Sequence, residues 1–234
     1  MTPADATPEG ATPEGAASLA CPACGKPLSL CLCAAIRPID NKIFVLILQH
    51  PQEKAQALGT AHLVTRIFQR SALKPGLSWP GLKRVLGREV EMKRWGVLYL
   101  GSATLKARMQ EQAAAGDVLI ALDRKGEPLA SPAALAGLDG IIVLDGNWAQ
   151  AKALWWRNPW LLKARRLVLQ PASGSLYGAL RREPRAESLS TLEAVARSLA
   201  CLEARAEIVE TALEPFRLLL KKYRDRGTRS AGHL

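Results

Sequence analysis

Nothing in this 234-residue chain is apolar for long enough to cross a bilayer, since the longest uninterrupted run spans only Ile43 to Leu48. The first eighteen residues hold neither a basic cluster nor an apolar core, and they carry Asp5, Glu9 and Glu14. No secretory leader is therefore expected, and the sequence predicts a soluble, cytoplasmic protein with no membrane partner. Histidine is scarce, with three in the whole chain and none beside the cysteines. Acid is also in deficit: 21 Asp and Glu face 32 Lys and Arg, a net charge of +11. An excess of that size points to a polyanionic partner, with nucleic acid ahead of an acidic membrane. A charged, solubilising surface is the plainer alternative.

The composition that is present, 48% hydrophobic and 23% charged, is that of a globular protein. The length suits one large α/β domain with a small appendage. Residues 1–18 contain ATPEG twice in succession, and a segment so rich in Pro, Gly and Glu is expected to be disordered. Structure should begin within residues 19–40, where Cys21, Cys24, Cys31 and Cys33 crowd into CPACGKPLSLCLC. In a reducing compartment such crowding argues for a metal over disulfides. The first pair has zinc-knuckle spacing, and four thiolates without histidine describe a closed, structural Zn²⁺ site. Cys201, alone on a helical pattern, reads as a small buried hydrophobe.

From Lys42 onward the pattern alternates. KIFVLILQ reads as a fully buried strand ending at His50, followed by a helix from about residue 53 to 70. Residues 74–95 read as a loop or small insertion. Strands are expected at 97–100, 118–123, 141–144 and 166–169. Helices are expected at 103–114, 149–156, 191–207 and 209–226. Alternation of this kind implies a mostly parallel sheet covered by helices on both faces.

The chain is organised around IIVLDGNWAQAK, Ile141 to Lys152, which reads as buried strand, sharp turn and helix start. Carboxyl ends of strands face the ligand crevice in open α/β sheets, so Asp145 stands where chemistry is usually placed. Gly146 allows close approach to the backbone and Asn147 can cap the helix that follows. An ordinary strand-to-helix turn would use the same residues. Further on, Ser190 and Glu193 fit a capping box. A helix amino terminus can also receive a ligand carboxylate. Basic residues gather at 83–94, 163–166, 181–185 and 221–229, and Arg181, Arg182 and Arg185 are phosphate-contact candidates. Trp148, Trp155, Trp156 and Trp160 lie between two of these clusters, where aromatic rings can stack unpaired bases. Helical spacing favours a core role for at least two of them.

The cysteine cluster, LILQHPQE, LDGNW and RREP…LSTLEAVA occur together in this order in the DTW-domain family, which the chain resembles over about Cys21 to Tyr223. Within that family it is similar to the bacterial tRNA-uridine aminocarboxypropyltransferases. Asn147 stands where the family usually has Thr, and Gly101 and Ser102 replace a Pro-containing turn. The resemblance implies a SPOUT-like α/β catalytic domain over 41–226, knotted in its C-terminal half, with a flexible basic tail at 227–234. It implies transfer of the 3-amino-3-carboxypropyl group of S-adenosylmethionine to N3 of a tRNA uridine by a chain expected to be monomeric. Asp145 would be the base, or would orient N3 or balance the sulfonium. Leu122, Gly146, Asn147, Trp148, Leu189, Ser190, Thr191 and Ala194 would hold the cofactor. Lys163, Arg165, Arg181, Arg182 and Arg185 would contact RNA. Two rival readings are a SPOUT-type RNA methyltransferase and a non-catalytic zinc-containing RNA-binding protein.

Overall fold

Six short apolar segments pair into one sheet, β1 (Phe44–Gln49), β2 (Ser71–Pro75), β3 (Trp95–Leu98), β4 (Val118–Leu122), β5 (Gly140–Asp145) and β6 (Arg165–Gln170). They are seen in a computed structural model that describes residues 20–24, 26–53, 56, 58–98, 116–129, 132–180 and 189–231. The strand order is β2-β1-β5-β3-β6-β4. All neighbours are parallel except β4, which runs antiparallel to β6 at the edge. β1 and β5 are nearly continuous buried apolar strands, as strands covered on both faces must be.

Strand periodicity divides the core in two. Val45 and Ile47 of β1 and Ile141 and Val143 of β5 point to one face, with Leu119, Ala121 and Leu167. That face is covered by α1 (Ala61–Ile67), α4 (Thr191–Glu203) and α5 (Glu207–Ala231). Leu46, Leu48 and Ile142 point to the other face. There they meet α2 (Leu82–Leu86), Trp95 and the short turn after α3 (Trp148–Arg157). Gly140 is required beneath Trp95, because a Cβ there would lie 2.5 Å from its ring. Two fully buried asparagines pin the periphery. Asn41 bridges Ile43 and Arg70 at the starts of β1 and β2. Asn158 bonds Leu77, Trp79, Leu154 and Trp160, closing the loop before α2 onto the end of α3.

The alternation, the sheet and both covering layers match expectation, and several boundaries do not. The helix placed at 53–70 begins only at Ala61, behind a 3₁₀ turn at Pro51–Glu53. Ser71–Pro75, of which the first three residues carried no assignment and the last two fell in the expected loop, is the edge strand β2. The loop at 74–95 contains α2. The helix expected to run to 207 stops at Glu203 because Ala204 turns into the left-handed region, φ 52°. α5 continues to Ala231, past the expected end at 226. Helix 103–114, Gly101 and Ser102, and the tail at 1–18 lie outside the described residues.

Candidate functional site

Asp145 is the last residue of β5, which lies at the middle of the sheet between β1 and β3. It is in phase with Ile141 and Val143 and so emerges on the face covered by α4, just beyond the core. Its carboxylate is buried and held from two sides. Gln49, its cross-strand neighbour at the end of β1, donates Nε2–H to Oδ2 at 2.8 Å. Thr191, the first residue of α4, donates its hydroxyl to Oδ1. Gln49 is itself buried, and its Oε1 has no hydrogen-bond partner among the described residues. The amide orientation is therefore dictated by the carboxylate alone. The Asp145 carbonyl accepts from His50 N–H at 2.9 Å, and His50 Nδ1 accepts from Gln52 N–H at 3.4 Å. His50 is thus engaged in its own turn.

The turn after Asp145 is built for close packing. A Cβ on Gly146 would lie 2.7 Å from Gln150 Cβ and 3.4 Å from His50 Cβ. Asn147 then caps α3 as expected. Its side chain accepts from Gln150 N–H at 3.0 Å, and the Gln150 side chain accepts from Asn147 N–H at 2.7 Å. Gln150 also reaches Gln52 at 3.2 Å, tying the β1 and β5 turns together. Asn147 therefore fills the N-cap of α3.

Facing this turn, Ser190 and Glu193 form the expected capping box, at 3.2 and 2.9 Å. The fully buried Glu193 carboxylate also accepts from Ser175 Oγ–H and Leu176 N–H, each at 2.8 Å. The amides of α4 are largely committed: Leu192 donates to Thr60 Oγ1, Glu193 to Ser190 Oγ and Ala194 to the Ser190 carbonyl. The helix end thus offers a ligand carboxylate less than its position promised.

The structure brings Asp145, Gly146, Asn147 and Trp148 together with Ser190 and Thr191, and Leu189 and Ala194 flank the latter pair in sequence. It does not bring Leu122 there. β4 is antiparallel, so its carboxyl end lies level with Ile142, through Arg166 and Val97, three residues short of Asp145 along β5. Three strand spacings, about 14 Å, add to that separation. Lys163 is exposed, whereas Arg165 donates to the carbonyls of Ala134 and Ala136, both at 3.0 Å. Arg181, Arg182 and Arg185 lie outside the described residues. Gln49 and Thr60 were not among the expected site residues. The available signal was a polar residue in phase with Val45 and Ile47 at the end of a buried strand.

The second cluster fits a metal. The sulfurs of Cys21, Cys24, Cys31 and Cys33 all lie within 4.8 Å of one another. The Cys21–Cys33 and Cys24–Cys31 pairs are 3.7 and 4.0 Å apart. A tetrahedral Zn²⁺ with Zn–S bonds of about 2.3 Å sets sulfurs about 3.8 Å apart, and the cysteines are free. Backbone amides of Cys24 and Ala23 and the Cys31 thiol lower Cys21 to about 6, favouring its thiolate. Desolvation and the neighbouring thiols push Cys33 up to about 12. A cation in the centre would resolve that imbalance by deprotonating every ligand. Lys26, buried beside them and lowered by desolvation to about 8, donates to Gly59 O at 2.8 Å. Cys201 is half-buried, pushed up to about 11 by desolvation, and borders the first core.

A mostly parallel α/β sheet, a clamped carboxylate at the carboxyl end of its central strand and an attached four-cysteine cluster that could hold a metal define a mixed α/β protein with a small cysteine-rich appendage. The chain belongs to the DTW-domain family, whose domain it matches over residues 18–224. A Drosophila melanogaster protein named tRNA-uridine aminocarboxypropyltransferase 2 is 29% identical over 209 residues, 88% of this chain and 76% of its own. The Macaca fascicularis protein of that name is 27% identical over 205 residues, 85% of this chain. The chain spans 61% of that relative's length. Arabidopsis thaliana tRNA-uridine aminocarboxypropyltransferase A is 26% identical over 221 residues, 82% of this chain and 76% of its own. No solved structure matches.

Proposed function

We propose that this chain is a tRNA-uridine aminocarboxypropyltransferase, moving the 3-amino-3-carboxypropyl group of S-adenosylmethionine to N3 of a tRNA uridine. The observation that carries the reading is Asp145, fixed at the carboxyl end of the central strand by Gln49 and Thr191 within the family's LDGNW turn. A C–N bond forms at N3 and a C–S bond of the sulfonium breaks. The electron pair stays on sulfur, and methylthioadenosine leaves. N3 carries a proton and is a poor nucleophile until that proton is shared, so Asp145 serves as its acceptor, directly or through water, or else orients N3 or balances the sulfonium. Group selectivity follows from which sulfonium carbon is held in line with N3.

Gly146, Asn147, Trp148, Ser190 and Thr191 border the donor, and Zn²⁺ in the four-cysteine cluster has a structural role. Residues 41–226 form the catalytic domain, and the protein works in the cytoplasm on tRNA. No helix among the described residues is long and apolar enough to cross a membrane. On this reading the domain is SPOUT-like with a knotted C-terminal half, and segments that follow β6 pack beside Asp145 and the 58–60 loop. There Tyr177 O–H donates to Leu58 O at 2.7 Å and Leu192 N–H donates to Thr60. Incubation of the protein with S-adenosylmethionine and unmodified tRNA, followed by nucleoside mass spectrometry, tests the reading. The expected products are 3-(3-amino-3-carboxypropyl)uridine and methylthioadenosine. S-adenosylhomocysteine with a methylated nucleoside would replace the reading with a methyltransferase, and no nucleoside product would remove it.

A further inference from the structure

The two sides of α3 differ in kind. Its inner side is spent on packing, with Ala151 and Leu154 buried, and Trp155 and the following Trp160 half-buried against the second core. Trp148, Lys152 and Trp156 recur at i, i+4 and i+8 and run along one exposed edge of the helix. Trp148 is 42% exposed and Trp156 71%. At its exposure the Trp156 indole contributes little to the core, and Trp is costly to leave in water. The two rings are not one apolar patch, because Lys152, also exposed, stands between them. α3 contains no acidic residue, and Arg157 ends it, with exposed Lys163 in the turn beyond. Rings separated by a cation, on a helix without carboxylates, are complementary to a partner that alternates flat π-faces with negative charge. A protein interface core would place apolar side chains at the Lys152 position, and a membrane-surface helix would keep its Lys on the face opposite its Trp residues instead of between them.

We propose that the outer face of α3 is a stacking surface for unpaired RNA nucleotides. Trp156 is the outer platform, Trp148, at the border of the donor site, is the inner one, and Lys152 takes the phosphate between them. The span fits: eight residues of helix cover about 12 Å. At about 3.4 Å per stacked nucleotide that is a run of three or four. The stripe starts three residues after Asp145, so RNA lying along it leads a neighbouring nucleotide to the site. Duplex RNA hides its bases' faces, so recognition selects a loop or other single-stranded segment. The inference rests on the proposed action on tRNA for the identity of the RNA, and on the helix face for where it binds.

The test uses the full chain and fluorescence anisotropy with labelled tRNA and with a labelled octauridine, over a range of salt. Trp156→Ala should weaken binding to both by about fivefold or more, the loss of one stacked base. Trp156→Phe should recover most of it, and Lys152→Ala should lower the salt slope by about 0.7. The thermal midpoint and S-adenosylmethionine affinity of Trp156→Ala should match the unsubstituted protein, because the ring is exposed and remote from Asp145. Affinity of Trp156→Ala within twofold for both RNAs would overturn the proposal, as would failure of the unsubstituted protein to bind either. Nucleoside analysis separates this from the functional reading. Product with unchanged Trp156→Ala affinity sinks the stacking surface alone. Absence of product with weakened affinity sinks the transfer reaction and leaves the surface standing.

Discussion

Asp145 is held by two donors, and that arrangement makes its substitution readable. In Asp145→Asn the new amide oxygen can accept from Thr191. Gln49, whose Oε1 is without a partner among the described residues, can turn its amide so that this oxygen accepts from the new N–H. The fold should therefore tolerate the change, while the charge and the proton acceptor are gone. Single-turnover rates with saturating tRNA should fall by two to four orders of magnitude, about the range for general catalysis. Affinity for S-adenosylmethionine should change far less. A parallel loss of S-adenosylmethionine affinity, with methylthioadenosine binding intact, would mean that Asp145 pairs with the sulfonium. Near-normal turnover in folded protein would remove it from the mechanism. Its neighbour Gly146 answers to packing. In Gly146→Ala the Cβ meets Gln150 Cβ at 2.7 Å, which is the first turn of α3 and not a flexible side-chain end. The Asn147–Gln150 box should open, costing about 1 kcal/mol or more in urea unfolding. An unchanged midpoint would show that the turn relaxes freely.

The elements divide into those whose ends are encoded locally and those whose ends are not. The Asn147 cap and the Ser190–Glu193 capping box were legible because each is written within four residues, whereas the Gln150 half of the first box was not read. β1 and β5 were legible because a strand buried on both faces must be a run of apolar residues. β2 was not. Its residues are half-buried or exposed, and only pairing with β1 makes SALKP a strand. The antiparallel direction of β4, which carries Leu122 away from the site, is set by its partner β6 and has no mark in its own sequence. The end of α4 was hidden for another reason. Ala204 occupies a left-handed position, φ 52°, where glycine is the usual signal, and alanine reads as helix continuation. Ala204→Gly should therefore stabilise the protein by about 0.5–1 kcal/mol, since the left-handed strain disappears while no interior helical residue is lost. A lower urea midpoint for this variant would contradict the argument.

At the scale of the whole molecule, the four-cysteine module is bound into the catalytic architecture at several points. Leu30 and Leu32 enter the first core. Lys222 Nζ of α5 donates to Cys31 O at 2.8 Å and Arg226 reaches Ser29 Oγ at 3.1 Å. On the other side Lys26 holds Gly59 O, one residue before the Thr60 whose hydroxyl receives the Leu192 amide of α4 above Asp145. The cysteines were legible as a metal set from spacing alone, whereas this bracing depends on long-range contacts that spacing cannot encode. The module thus supports the last helix and the loop over the site without contributing a group to it. Purified protein should hold one Zn²⁺ per chain. Elemental analysis below about a tenth of an equivalent, in protein never exposed to chelator, would end the zinc assignment. Removing one ligand by Cys24→Ser should open the cluster, free Leu30 and Leu32 from the core and release α5. Loss of a structural metal ligand is a folding defect first, so the thermal midpoint and soluble yield should fall. S-adenosylmethionine affinity per folded molecule should change less, because Gln49, Asp145 and Thr191 are joined to one another and not to the cysteines. The opposite result, a Cys24→Ser protein with an unchanged midpoint that no longer binds S-adenosylmethionine, would move the metal from scaffold to site.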